Sequence, residues 1–553
     1  MRRKIFCIVL AISIFLTVFA AACSQKTTDA GNRNDSGTSS ATTGGSDNKN
    51  ETTEGYTLPI VKEPITLVFL KRENSTPGSS FMNNRPLVWE EYEKKTGIKV
   101  KFEALPSNEL KEVIQLRLAA KQNIPDVIEI PGTQDGTYLE KYYADGVIIA
   151  LNNYIDKYAT NIKSIFEKYP DYKKSLTLSD GSITGLGALR ATKYEFQATG
   201  IRVDILKKLN LQMPKTPDEL FNVAKAFKAY DINGNGKADE FGITGNGDQW
   251  KELGDAWGLH YVTGDGWTVR DGKVVYEPVT PEYQDFLRFL RKCVKEGIFP
   301  ADWNTVDSKT NDARIINGQT GIMARMNALS SVYYLDPNGT MLKNFPDAEW
   351  SVIPPLDGPY GKGILTKEPV AQRWRTFVVT SANKYPGETV KWMDYAAFSE
   401  EGQTYNRFGV ENMNYRIENG KIIRFTKEEQ EKAMPEGAWS GSGYLPSVDT
   451  DESTEMGFAH IVALDHPKVQ ELRDLWKYIE EPFVPPIPSV NDGKKLASLL
   501  TDVKTQVDEM FFKFLNGDAN IDTEWDNYVK RLNANGLDDV ISIYQKGYDS
   551  LNK

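Results

Sequence analysis

Cysteine and histidine are scarce in this chain, and an excess of positive charge is missing altogether. Its 553 residues hold three cysteines (Cys7, Cys23, Cys293) and three histidines (His260, His460, His466). The histidines lie too far apart for helical zinc-ligand spacing, which leaves zinc chemistry poorly supported. Formal net charge is −10. Nucleic-acid binding needs clustered Lys and Arg against phosphates, so that class is excluded. Catalytic signatures are missing too: there is no G-x-S-x-G elbow, H-E-x-x-H, G-x-x-x-x-G-K-[ST] or G-x-G-x-x-G. A glycosidase carboxylate pair among the 76 acidic residues stays open.

What is present begins with an address. Met1-Arg-Arg-Lys4 is a positive start, Ile5–Ala22 is an apolar run, and Ala20-Ala-Ala-Cys23 sets small residues before a cysteine. This resembles the lipobox of bacterial lipoproteins, with Ala20 in place of the usual Leu. The resemblance implies cleavage after residue 22 and diacylation (palmitate) of Cys23, against an uncleaved signal anchor as the alternative. Residues 24–55 contain no Val, Ile, Leu, Met, Phe, Trp or Tyr. Such a stretch buries too little surface to offset ordering entropy. It is expected to be a tether spanning roughly 30 Å. With Cys7 removed and Cys23 acylated, Cys293 alone remains, so no disulfide framework exists.

The folded part opens with strand and helix patterns in alternation. Ile65–Leu70 is a continuous apolar run, Ile98–Phe102 alternates, and Asp126–Ile130 follows Pro125. Between them lie helical patterns, one around 86–95 ending at Gly97 and one with Ser107 as its expected N-cap. This order reads as a parallel α/β layer. Thr216-Pro-Asp-Glu219 is a capping box, and Thr280-Pro-Glu282 opens a helix whose apolar stripe includes Cys293, read as a core residue.

Several segments in shared order carry a resemblance: Thr96-Gly-Ile-Lys-Val-Lys-Phe102, Ile124-Pro-Asp-Val-Ile128, Gly200-Ile-Arg-Val-Asp-Ile-Leu206, Asp231-Ile-Asn-Gly-Asn-Gly-Lys-Ala-Asp-Glu240, Asn317-Gly-Gln-Thr-Gly-Ile-Met323, and Trp392-Met-Asp-Tyr395 with Ser399-Glu-Glu-Gly-Gln403. Over most of 58–553 the sequence resembles the family 1 extracellular solute-binding lipoproteins of ATP-driven sugar importers, in the large calcium-loop branch that includes alginate-binding proteins. The resemblance implies an α/β, two-lobed periplasmic-binding-protein-like fold (type II) with about three hinge crossings, expected near 190–196, 320–326 and 374–380. The expected lobes are 58–192 with 322–376, and 193–321 with 377–553, the latter holding the calcium loop. It also implies an oligosaccharide ligand, an ABC permease partner, a monomer, and a place on the outer face of a bacterial membrane.

Asp231, Asn233 and Asn235 set oxygen side chains at alternate residues, with Gly236 at the turn, as a calcium cage needs. Asp239 and Glu240 stand ninth and tenth, and the twelfth position, where a helix–loop–helix loop carries its bidentate Glu, is Gly242. That departure matches the shorter loop of the resembled branch. By resemblance, Lys237 adds its backbone carbonyl and the calcium is structural. Tryptophans in loop contexts, Trp250, Trp374 and Trp439, are candidate sugar platforms, whereas Trp89, Trp392 and Trp476 fall in helical patterns and read as packing. Arg72, Asn84 and Asp135 follow predicted strands, where open sheets bind ligands, and are candidate hydroxyl partners. The favoured reading is a non-enzymatic oligosaccharide receptor; the alternative is a surface lyase or glycoside hydrolase with a structural calcium, and a peptide or lipid receptor is weaker.

Overall fold

The computed structural model describes residues 55–74, 78–131, 136–260, 266–337 and 339–551, apart from the side chains of residues 108, 248, 374 and 551. The expected signal segment, the tether through residue 54 with Cys23, and Asp135 lie outside the described residues.

The opening apolar segments form strands where their patterning predicts. They are β1 (Ile65–Arg72), β2 (Ile98–Leu105) and β3 (Val127–Pro131), parallel, with β1 in the middle. The helix Leu87–Thr96 stops because Gly97 takes φ 75°, a left-handed geometry with no Cβ to clash. The helix Ser107–Ala120 differs from expectation at its start. Pro106 occupies the cap position and its carbonyl accepts from Glu109 and Leu110, so Ser107 is already helical. Thr216 does cap the helix Pro217–Lys228, accepting from Glu219 N at 3.2 Å, but the Glu219 carboxylate takes Lys215 N rather than that of Thr216.

Further along lie β4 (Gly185–Arg190), β5 (Phe196–Arg202), β6 (Ile322–Asn327), β7 (Trp350–Val352), β8 (Leu365–Lys367), β9 (Ala371–Val379), β10 (Val448–Asp449) and β11 (Ile479–Glu480). The first sheet runs β10–β4–β9–β3–β1–β2, with β9 antiparallel to its neighbours. The second runs β7–β5–β8–β11, and β6 lies along the other edge of β5.

Each sheet is covered on both faces, because successive strand residues point to opposite sides. Leu67 and Phe69 enter one core with Trp89, Tyr92 and Trp392, whereas Leu70 enters another with Ile114 and Leu118. In the second sheet Ile201, Ile322 and Ala324 face the largest core. That core is closed by the helices Pro281–Lys295, Val490–Asn516, Ile521–Ala534 and Leu537–Leu551. Cys293 sits there fully buried, and burial pushes its thiol far up, consistent with a packing role. Ala198, Met323 and Met326 face a smaller core with Trp350.

The chain passes from the first sheet to the second across 191–195, returns across 368–370, and leaves again after β10. Two expected crossings are therefore corrected. Residues 320–326 lead into and form most of β6, inside the second sheet, and 374–379 lie within β9, inside the first. The reason is pairing: β6 hydrogen-bonds along β5, and β9 along β3 and β4. Thus β6, β7 and β8 belong to the second sheet and β9 and β10 to the first.

One short strand depends on charge. The ring of His260 contacts Glu277 through Nδ1 (3.0 Å) and Glu480 of β11 through Nε2 (2.8 Å). Burial disfavours its cationic form, but the two carboxylates outweigh burial and raise its pKa to about 9. A raised cationic pKa contributes stability that is complete below the unfolded value near 6.5 and lost as pH rises through about 9. His260→Gln is therefore expected to lower the melting temperature clearly at pH 6 and little at pH 10, read by circular dichroism.

Candidate functional site

The two crossings fix which sheet edges face each other. β4 ends where 191–195 begins and β9 begins where 368–370 ends, so the carboxyl ends of β1, β3 and β4 lie on the side of the first sheet that looks toward the second. Open α/β sheets bind ligands beyond that edge.

At the end of β1, Lys71 is 0% exposed. Its Nζ lies 3.6 Å from the Phe81 ring centroid and 4.6 Å from that of Tyr444, a cation held between π faces. Glu129 of β3 stands 3.8 Å away and accepts from Arg375 Nε at 2.6 Å. Burial lowers the Lys71 pKa to about 7, against the pull of Glu129. Glu73 is buried enough to resist ionising, yet donors from Phe81, Asn74 and Ser80 outweigh this and lower its pKa.

β9 owes its aim to a bulge. Its register with β4 jumps between Gln372 and Phe377, so residues 373–376 leave that ladder while Arg375 and Thr376 stay paired with β3. Gly187 permits the close approach, since a Cβ there would meet Gln372 O at 2.1 Å. Arg373 then turns to Pro485 O (2.8 Å) and Arg375 to Glu129. Beside it, a hollow of about 250 Å³ is lined by Arg190, Gln372, Arg375, Asn406, Arg407 and Asp449 among others. Asp449 pairs with both Arg190 and Arg407, the latter at 2.7 Å.

The second sheet answers with Arg325 of β6. Its Nε lies 3.2 Å from Gln197 Oε1 and 3.2 Å from Glu252 Oε1, and its Nη2 lies 3.6 Å from Glu368. Glu252 is 1% exposed, and burial pushes its pKa up to about 8, with Arg325 opposing. Tyr333 ends the helix Ser330–Tyr333 that follows β6 and is 43% exposed. Burial of its hydroxyl end raises its pKa, with Glu195 and Asp449 adding and Arg424 and Arg407 opposing.

The sequence-predicted contacts fare unevenly. Arg72 ends β1 and is half-buried at the expected edge. Asn84 spends its side-chain oxygen on Ser80 N (3.0 Å), closing a turn. Trp374 has its backbone in the β9 bulge, and Asp135 lies outside the described residues. Trp250 is corrected: it is 0% exposed, donates to Trp303 O at 2.9 Å and packs on Phe299 at 4.2 Å. Trp439 is likewise 6% exposed, edge-on to Phe81 and Tyr444, behind the Lys71 cage. Nothing local in the sequence singles out Tyr333 or Tyr444 among 26 tyrosines, or Arg375.

In the calcium-type loop, Asp231 accepts from Asn235 N (3.1 Å) and Gly236 N (2.8 Å), and Asn233 also accepts from Asn235 N. The Asn235 amide donates to both oxygens of Asp239, so Asn235 bridges the two carboxylates. Glu240 is buried, which raises its pKa, and accepts from Ile232 N. Alternate oxygen donors fit a hard cation, although among the described residues no three acidic, His or Cys side chains gather as a metal cluster.

Burial separates core from rim. Trp250→Ala is expected to cost about 3–5 kcal/mol of stability, whereas Tyr333→Ala should stay within about 0.5 kcal/mol. Chemical denaturation of both variants checks this.

The sequence pattern of the bacterial extracellular solute-binding proteins matches residues 82–403. FusA of Streptococcus pneumoniae, a fructooligosaccharide ABC transporter substrate-binding protein, is 30% identical over 538 residues, covering 90% of this chain and 92% of that protein. YtcQ of Bacillus subtilis, a polygalacturonan/rhamnogalacturonan-binding protein, is 22% identical and covers 83% and 87%. The crystal structure of the alginate-binding protein AlgQ2 without calcium superimposes with a TM-score of 0.70 at 22% identity, over 90% of this chain and all of that one. The chain belongs to the bacterial extracellular solute-binding protein family and has its two-lobed, type II periplasmic-binding-protein-like α/β fold.

Proposed function

We propose that this protein is the substrate-binding component of an ATP-driven importer, capturing an oligosaccharide between its lobes and passing it to a membrane permease. The observation that carries this reading is the facing of two polar sheet edges across short crossings. One edge offers Arg72, Arg375 and Tyr444, the other Arg325 and the exposed ring of Tyr333. Aromatic faces stack on sugar rings while fixed ion pairs take hydroxyls. FusA, at 30% identity across nearly the whole chain, supports the same class of ligand. The relatives described are binding proteins, so the lyase or hydrolase reading is not favoured.

The finer parts of the reading rest on sequence. Cys23 would carry the acyl chains that hold a monomer on the outer face of the cell membrane, with residues 24–55 as tether. No described helix is long and apolar enough to cross a membrane. The loop of Asp231, Asn233, Asn235, Lys237, Asp239 and Glu240 would hold calcium away from the facing edges, where the ion supports folding. AlgQ2 is a relative described with respect to calcium.

A thermal-shift screen against oligosaccharides tests the function. A true ligand at 100 times its Kd should add about 2.7 kcal/mol of stability, and absence of any shift with release of sugar products would overturn the receptor reading. Chelating calcium should lower the melting temperature, and Asp231→Ala should do the same with calcium present. An unchanged melt together with no calcium by metal analysis would remove the ion from the account.

A further inference from the structure

The two crossings carry a like-charge pair. β5 and β8 are antiparallel, with Gln197 opposite Thr366 and Phe196 opposite Lys367. One residue beyond that pairing on each segment come Glu195 of the first crossing and Glu368 of the second, near enough for Glu368 to add to the rise of the Glu195 carboxyl. Like charges brought this close repel. Burial pushes the Glu195 carboxyl up, with Asp449 and Glu368 adding to it and Arg190 and Arg407 opposing.

Each glutamate is held by an arginine from a different sheet. Glu195 Oε2 meets Arg190 Nη1 of β4 at 3.2 Å, and Glu368 Oε1 meets Arg325 Nη2 of β6 at 3.6 Å. One oxygen of each carboxylate is thus engaged, leaving a second as an acceptor. Behind Arg325 lies Glu252, 1% exposed, with neither oxygen in hydrogen-bond geometry to any described group. In front of Arg190 lies the hollow of about 250 Å³.

We propose that Glu195 and Glu368 are an acceptor pair on the cleft floor that binds neighbouring hydroxyls of an uncharged oligosaccharide and rejects acidic sugars. This deepens the receptor reading and rests on it. Hydroxyls donate to both carboxylates and relieve their confrontation. A uronate brings a further negative charge to a floor already holding Glu195, Glu368 and Asp449. Of the cations at the facing edges, Arg190, Arg325 and Arg407 are bound to those acids and Arg375 to Glu129, while Arg72 ends β1, two strands away from β9. Recruiting one would strip a buried acid of its partner, which costs more than the new pair returns.

Calorimetric titration of the whole folded chain decides it, using fructo-, xylo-, manno- and galacto-oligosaccharides as neutral probes and oligogalacturonate and oligoalginate as acidic ones. Neutral probes alone should bind. Glu195→Gln and Glu368→Gln should each weaken that binding about 10- to 100-fold while the fold persists, since Arg190 keeps Asp449 and Arg325 keeps Glu252. Tight binding of an acidic probe overturns the inference and leaves the receptor reading intact. Neutral binding unaffected in both variants overturns it too. No binding in either panel overturns the receptor reading itself. Should a variant fail to fold, the wild-type comparison of neutral with acidic probes still decides the sugar class.

Discussion

Two chain segments running side by side between the sheets are the constraint on which the rest of this molecule turns. β4 and β9 pair antiparallel in the first sheet, and the strands that continue them, β5 and β8, pair antiparallel in the second. Ala371 opposite Leu189 and Lys367 opposite Phe196 bracket the interval, with Arg190 N bonded to Val370 O inside it. The crossings therefore run side by side as a ribbon tied at its two ends, with 191–195 and 368–369 outside any ladder. Such a ribbon bends more readily than it stretches, so the sheet edges can change angle. Hinge closure needs that property.

Much of this was legible beforehand, and the reason is local. Apolar runs such as Ile65–Leu70 and Asp126–Ile130 have one way to bury both faces, and Gly97 stops its helix through its own φ. The alternating oxygens of 231–240 are local as well, and the structure turns them into one hydrogen-bonded loop. What failed depended on partners far along the chain. Trp250 follows a glycine-rich loop, yet its surroundings are Phe299 and Trp303, about fifty residues away. The strand identity of Ile322–Asn327 is decided by β5, more than a hundred residues earlier. Sequence context places a residue in a loop; it does not say what covers that loop.

The charges of the cleft edge tell a related story. The chain is net acidic, yet at the facing edges most arginines are matched to carboxylates: Arg375 to Glu129, Arg190 to Glu195 and Asp449, Arg325 to Glu252 and Glu368. Paired charges keep their orientation without reaching for a ligand, and oriented dipoles suit hydroxyls better than ions. Lys71 fits the same economy of charge. With its pKa lowered to about 7 by burial, it lends the Phe81–Tyr444 cage a cation that is only partly present at neutral pH.

A ligand can shift the opening of such a molecule only through contacts that differ between open and closed states. Groups on a single sheet edge would bind equally in both, and so add affinity without closure. In the proposed receptor, Glu195 and Glu368 lie on the crossings and would seat a ligand before closure. Tyr333 lies on the second sheet's side, yet feels Arg407 and Asp449 of the first. A sugar seated on the floor would gain that ring only as the edges approach. In that proposal seating and closing fall to different residues. For that reason the burial of Trp250 is no loss to function: a rigid wall behind each edge is what lets a small rotation of the ribbon be felt at the rim.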